Sequence, residues 1–400
     1  MADGATNSAP RPESLVLTAG AVVGLCIMGD SLLYAVLPLE AENLGIALPL
    51  VGLLLSANRI VRLFANTPIG MLFERWGVRW PFVGSAILGL IVALLYGTGW
   101  GFLVFLVARI GWGLAWSGLR LGGFQAVWAG PEPMRGRLMG LLGAVISVGA
   151  ASSVLLGGYL RDQFGFQTAA YAVAVMVALS IPLALNVRWP AHLRLPDHSE
   201  RQPLDAWLRT LRTPQRASVL LATFLSMASI AILVSTAALF LQSRLDSDQV
   251  ATWGIGFGTI TGMLLAVRWL SDLVMQPLLG EMSDRVGQGR LALSLSALSL
   301  VALIGAVATT GLLSFLFLAF VFLAGSGITV SLGAAATATA AASTRPQLFL
   351  GAYATAYDAG LATGPILGLT LAGAGALSAL YLLVGIASLA AIGAFWWAGR

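Results

Sequence analysis

One stretch of this chain occurs twice. Gly70-Met-Leu-Phe-Glu-Arg-Trp-Gly-Val-Arg-Trp80 and Gly280-Glu-Met-Ser-Asp-Arg-Val-Gly-Gln-Gly-Arg290 superimpose without a gap at an offset of 210 positions. The offset pairs Gly70 with Gly280, Glu74 with Asp284, Arg75 with Arg285 and Gly77 with Gly287. It also pairs Leu54, Leu55 and Leu63 with Leu264, Leu265 and Leu273, so the similarity runs back through the preceding segment. A match at an offset of about half the chain's length implies a duplication and a fold of two like halves. Each copy is a short polar turn between long apolar segments, which narrows the choice of halves sharply.

Of the 400 residues 58% are hydrophobic and 10% charged, and the mean hydropathy is +0.88. Such a make-up excludes an ordinary soluble domain. A bilayer-spanning helix takes about 20 apolar residues, and twelve such stretches follow one another from 15–38 to 376–398. The expected fold is an all-α membrane protein with 12 transmembrane helices in two pseudo-symmetric six-helix bundles. Residues 1–14 form a cytoplasmic tail, 15–189 the first bundle, 190–216 a cytoplasmic linker and 217–400 the second bundle. Within the linker Leu204, Trp207, Leu208 and Leu211 share one helical face, opposite Asp205, Arg209 and Arg212, as in an amphipathic helix lying on the inner leaflet. A solvated turn is the competing reading.

The pI of about 9.9 raises nucleic acid as a partner, but the placement of charge follows the membrane instead. All 22 basic residues are Arg; with both termini cytoplasmic only Arg161 and Arg244 fall outside, five lie within spans, and the other fifteen are inside. This is the positive-inside bias, and no nucleic-acid partner is needed to account for it. The first apolar run is long and holds Asp30, so it is expected to be a span and not a cleaved signal. A single cysteine, Cys26, leaves no internal disulfide and no thiolate metal cluster. No metal and no cofactor is expected.

The duplicated turn resembles the loop between helices 2 and 3 of the major facilitator superfamily, whose pattern is Gly-x-Leu-(small)-Asp-Arg-x-Gly-Arg-(Arg/Lys). This chain departs from it at Phe73, Glu74 and Val78. In the fifth span Gly140, Gly149, Gly157 and Gly158 fit the helix-5 glycine signature of the family's antiporters, with Ser153 and Val154 where Gly-Pro would stand. The eleventh span repeats the spacing 211 residues on with Gly351, Gly360, Gly364, Pro365 and Gly368, Gly-Pro included. In the fourth span Arg109, Gly113 and Ala115 resemble the family's Arg-x-x-x-Gly-x-Ala motif, which is linked there to proton transfer. The resemblance implies gating by Gly70, Glu74 and Arg75, and the copied turn makes Gly280, Asp284 and Arg285 gating candidates as well. In the family the first of these loops contacts the eleventh helix and helps hold the outward-open state. The alternative for both copies is a plain tight turn.

Charges inside the spans cost about 2.5 to 3.5 kcal/mol each on insertion scales, so each needs a reason. Arg59 and Arg62 share a face of the second span with Asn66, and Arg109, Trp116 and Arg120 form a stripe on the fourth. Asp30 and Arg109 lie at matching depth. A carboxylate beside a guanidinium stays ionised until the two part, so the pair is either a proton-coupling element or a permanent tie between helices. Arg268 and Asp272, four apart, either neutralise each other or serve the solute. Asp358 has no basic neighbour in its own span and stands near Tyr357, which makes it a second coupling candidate. Arg59, Arg62, Trp116, Arg120, Arg268 and Tyr357 are therefore expected to bind substrate, and Asp30, Arg109, Asp272 and Asp358 to couple protons. Five intramembrane arginines against three aspartates leave two positive charges, which points to an anionic small-molecule substrate.

The expected function is secondary active transport by alternating access, as a proton-coupled antiporter exporting its solute, and not catalysis. Uptake, uniport or lipid flipping stay open, as does a non-transporting sensor. The expected setting is the bacterial inner (plasma) membrane, in contact with the lipid bilayer, as a monomer.

Overall fold

The structure, a computed structural model, describes residues 12–190, 213–343 and 346–399. The proposed linker helix over 204–211 and most of the N-terminal tail lie outside the described residues. Every described element is helical. The spans are α1 (Pro12–Glu40), α2 (Leu48–Trp76), α3 (Arg79–Thr98), α4 (Phe102–Trp128), α5 (Arg135–Phe164) and α6 (Phe166–Asn186). The second half holds α7 (Pro214–Arg244), α8 (Phe257–Val286), α9 (Gln288–Ala308), α10 (Gly311–Ala341), α11 (Pro346–Gly373) and α12 (Leu377–Ala398). Eleven of them are long and apolar enough to cross a membrane. The exception is α11, long at 28 residues but diluted by Tyr353, Thr355, Tyr357 and Asp358. Helices apolar on every side belong in lipid, whereas a polar stripe on one of them marks a wet face.

The repeat holds at the level of backbone. Gly77 and Gly287, paired by the offset of 210, end α2 and α8 with φ of 71° and 98°, a region that favours glycine. In the first half α5 packs along α1, with Gly149 against the Gly24 carbonyl. In the second, α11 packs along α7 in the same way, with Gly360 against the Phe224 carbonyl. The signature glycines thus work first as close-packing surfaces between helices of one half.

The halves meet where α2 crosses α11 and where α8 crosses α5. Gly52 lies under the carbonyl of Pro365, and Gly262 under that of Val154. These contacts are one contact seen twice, since Gly52 and Gly262 are 210 apart and Val154 and Pro365 211 apart. Beyond them, at the end far from the chain termini, Asp162 of α5 caps α8. It accepts from the backbone N–H of Gly258 at 3.1 Å and of Thr259 at 2.6 Å, and from the Thr259 hydroxyl at 2.7 Å. Arg161 ties the same carboxylate, at 3.0 Å, to Glu40 of α1, at 2.6 Å.

At the opposite end, near the termini, Glu74 and Arg75 are exposed, and a Cβ on Gly70, Gly140 or Gly351 would meet nothing within 4 Å. The molecule is therefore shut at one end and parted at the other. A helix cap is worth about 0.5 to 2 kcal/mol, so Asp162→Ala is expected to loosen the shut end without unfolding the protein. In a Cys26→Ala background, Thr259→Cys labelling by a membrane-impermeant maleimide is expected to quicken severalfold when Asp162 is also replaced.

Candidate functional site

Between the halves, below the shut end, lies a cavity of about 470 Å³. The size suits a small organic molecule. Of the sequence-derived candidates, Asp30, Arg59, Arg62, Trp116, Arg120, Arg268, Asp272, Tyr357 and Asp358 all line it. Six helices bring them together: α1, α2, α4, α8 and α11 carry the charges, and α7 adds apolar wall with Met227, Ile230 and Val234.

Arg109 is the exception. Its side chain has 0% exposure and does not reach the cavity. The guanidinium bonds Asp30 through Nη1, the Leu54 carbonyl through Nε at 2.9 Å, and the Leu55 carbonyl through Nη2 at 3.2 Å. It therefore joins α4 to α1 and α2 in a dry contact, while the Asp30 carboxylate keeps 12% exposure at the cavity edge. Arg109 starts the stripe completed by Trp116 and Arg120, but its fork is drawn aside by two carbonyls that each have a lone pair left after helix bonding.

The expectation that Asp358 stands unpaired is also corrected. Arg62 Nη2 approaches its carboxylate at 3.3 Å, from the other half of the molecule and 296 residues away. Desolvating a lone carboxylate is costly, and a guanidinium on the facing helix offsets part of that cost. Arg268 and Asp272 do pair within one turn of α8, and the Ser326 hydroxyl of α10 donates to the same carboxylate.

Three Arg–Asp pairs thus use all three aspartates. Arg59 and Arg120 are left. The Arg59 guanidinium donates to the Tyr34 hydroxyl at 3.5 Å, and that of Arg120 sits over the Phe124 ring at 5.3 Å. Neutral aromatic groups support both cations and cancel neither.

The gating candidates are not among the residues that line the cavity. Glu74, Arg75 and Arg285 are exposed; Arg285 pairs with Glu281 on its own helix. A Cβ on Gly280 would touch only Val330, of the same half, and the side chain of Asp284 lies outside the described part. Residues that sequence reasoning passed over include Tyr34, Asn58, Trp112, Trp269 and Tyr353 in the cavity wall, the paired Gly52 and Gly262, and the Asp162 cap.

A duplicated twelve-helix bundle closed at one end over a charged internal cavity is the architecture of a carrier-type integral membrane protein. A sequence model of the Major Facilitator Superfamily matches residues 19–273, and the chain belongs to that superfamily. The mouse MFS-type transporter SLC18B1 is 24% identical over 291 residues, covering 69% of this chain and 59% of the mouse protein. The chain thus matches less than two thirds of that relative's length. The multidrug resistance protein MdtG of Rahnella sp. (strain Y9602) is 27% identical over 287 residues, 68% of this chain and 66% of that protein. In fold the chain is similar to a bacterial homolog of the human lysosomal transporter Spinster in an inward-facing, unoccupied conformation. That similarity has a TM-score of 0.74 at 16% identity over 98% of both chains. The nucleoside transporter NupG gives 0.71 at 14% identity, over 97% of this chain and 99% of that one.

Proposed function

We propose that the protein is a secondary transporter that moves a small organic anion through the central cavity by alternating access, as a proton-coupled antiporter working in export. The observation that carries the anion reading is the pair of guanidiniums, Arg59 and Arg120, that line the cavity and, among the described residues, form no direct ion pair with a carboxylate, although Asp30 and Asp358 lie within electrostatic range of Arg59. Guanidinium forks bind carboxylate and phosphate in two-point geometry. Charge placement supports the orientation: Arg75, Arg79, Arg135 and Arg137 stand at the parted end, Arg161 and Arg244 at the shut end. The parted end is then cytoplasmic, both termini lie inside, and the cavity is open inward. Export is in keeping with relatives named multidrug resistance proteins, and the plasma membrane of a bacterium is the natural setting. The two bundles, 15–189 and 217–400, act as rocking bodies within one monomer, with the 2–3 loop and its copy meeting the other half when the inner end closes.

Coupling has a simple physical form at Arg62 and Asp358. Their pair ties the halves at mid-depth, and two agents undo it: an anion that takes Arg62, or a proton that discharges Asp358. If each agent alone frees the halves to rock, the carrier crosses loaded with one or the other, which is exchange. Asp30, braced by Arg109, is the second group that a proton entering the cavity reaches. Proteoliposomes carrying the protein are expected to take up labelled organic anions, with the rate set by an imposed pH gradient. Asp358→Asn and Asp30→Asn are each expected to remove the gradient's effect. A wild-type flux indifferent to the gradient defeats the coupling, and a preference for lipophilic cations defeats the anion reading.

A further inference from the structure

The two walls of the cavity differ in chemistry. From the first half come Arg59 and Arg62 of α2 and Arg120 of α4. From the second half, apart from the self-neutralised Arg268–Asp272 pair and the Asp358 that answers Arg62, come Met227, Ile230, Val234, Leu361, Tyr353 and Tyr357. Trp269 of α8 and Trp116 of α4 also line the cavity. The cavity is therefore cationic on one side and oily on the other, with aromatic rings on both.

The cationic side is built to receive an acceptor. The Nε of Arg59 and the Nε of Arg62 are buried and donate to no protein acceptor. Buried donors left unmade are costly, by about 1 to 3 kcal/mol, so this wall carries more donors than protein acceptors, which favours an oxyanion over a cation. Tyr34 and Phe124 hold Arg59 and Arg120 by hydroxyl and by ring face, which leaves N–H edges of each fork free. The oily side offers no second set of charges: its one spare acid is engaged by Arg62. A molecule charged at both ends, or polar all over, would desolvate against Met227, Val234 and Leu361 with no return.

We infer that the transported anion is amphipathic and aromatic, a planar apolar body with one carboxylate or phosphate-like group at one end. The acidic end sits on Arg59 and Arg120 and competes with Asp358 for Arg62, and the body lies between Trp116 and the Tyr353–Tyr357 face, whose rings are 6.5 Å apart. This rests on the anion reading above and narrows it. Small hydrophilic anions satisfy the forks and waste the oily wall, whereas aromatic cations satisfy the wall and are repelled by the forks.

Four probes separate these possibilities on the purified full-length protein in detergent: 2-naphthoate, malate, 2-naphthalenemethanol and 2-naphthylmethylammonium, titrated by calorimetry. Naphthoate is expected to bind at least tenfold more tightly than each of the others. Arg59→Gln and Arg120→Gln are each expected to weaken naphthoate about tenfold or more and to leave the neutral alcohol unchanged. Tyr357→Leu is expected to weaken naphthoate by about three- to tenfold and to leave malate unchanged. Malate equal to naphthoate overturns the aromatic inference and leaves the anion reading intact. The ammonium probe binding best overturns both. Failure of naphthoate to bind overturns the inference whatever the other three do.

Discussion

Arg109→Ala is expected to remove most of the stable fold, and not merely to slow transport. The guanidinium is sealed from solvent and holds four groups at once: the Asp30 carboxylate, the carbonyls of Leu54 and Leu55 and the Tyr96 hydroxyl. Truncation leaves a carboxylate without its counter-charge between α1 and α4, and breaking one side of a buried pair costs about 3 to 5 kcal/mol. That is a large share of the roughly 5 to 15 kcal/mol that holds a typical domain together. The yield of monodisperse protein and the melting temperature in detergent should both fall steeply. Arg109→Lys should recover little, because one ammonium on a flexible stem cannot reproduce a fork reaching two helices. Adding Asp30→Asn to Arg109→Ala should recover part of the stability, since the stranded charge is then gone. Arg59→Ala, by contrast, removes a cavity cation with no acid partner and should leave the melting temperature near that of the parent. A normal melting temperature for Arg109→Ala would show that the residue serves the solute after all.

The contrast between Arg109 and its neighbours marks what the sequence could and could not tell. Twelve spans, the duplication and the charges stranded in them were all legible, because lipid makes every polar residue in a span conspicuous. The Arg268–Asp272 pair was legible too, since four residues along a helix is a fixed distance. The Asp30–Arg109 pair followed from matched depth. Arg62 with Asp358 did not, because 296 residues separate them and the partner depends on how α2 is rotated against α11. The direction of the Arg109 fork was hidden for the same reason: nothing in residue types says that two α2 carbonyls stand in its way. Tyr34, Trp112, Trp269 and Tyr353 were missed because an aromatic residue in an apolar span looks the same whether it faces lipid or a cavity. For Tyr353 a signal was present. Tyr353, Thr355, Tyr357 and Asp358 cluster within six residues of α11, which is not among the eleven helices apolar enough to cross a membrane, and such a cluster has to turn a face to water.

The shut end is predicted to depend on two glycines, and replacing them should trap the molecule in its opposite state. Gly52 and Gly262 have no side chain between their helices and the carbonyls of Pro365 and Val154, and a Cβ at either position would overlap that backbone. Backbone cannot move aside as a side-chain tip does, so the helices have to separate. Forcing a larger group into such a contact costs about 1 to 3 kcal/mol, and each 1.4 kcal/mol is about tenfold in the balance of two states. The two sites belong to different helix pairs and share no partner, so their effects should nearly add. Gly52→Leu with Gly262→Leu is then expected to move the balance by at least about tenfold toward the form parted at the end far from the termini. The fold should stay intact, because each half's own packing is untouched. Spin labels at Glu42→Cys and Gln242→Cys, on exposed positions of the two halves at that end, report the change in a Cys26→Ala background. Their distance distribution should be short in the parent and long in the double variant, with transport falling in step, since a carrier that cannot close one side cannot complete a cycle. The single variants should fall between, and nearly equally, because the contacts are copies of each other. An unchanged short distance in the double variant would mean that the halves are held by the Asp162 cap and the Arg62–Asp358 pair alone, with the glycine contacts incidental.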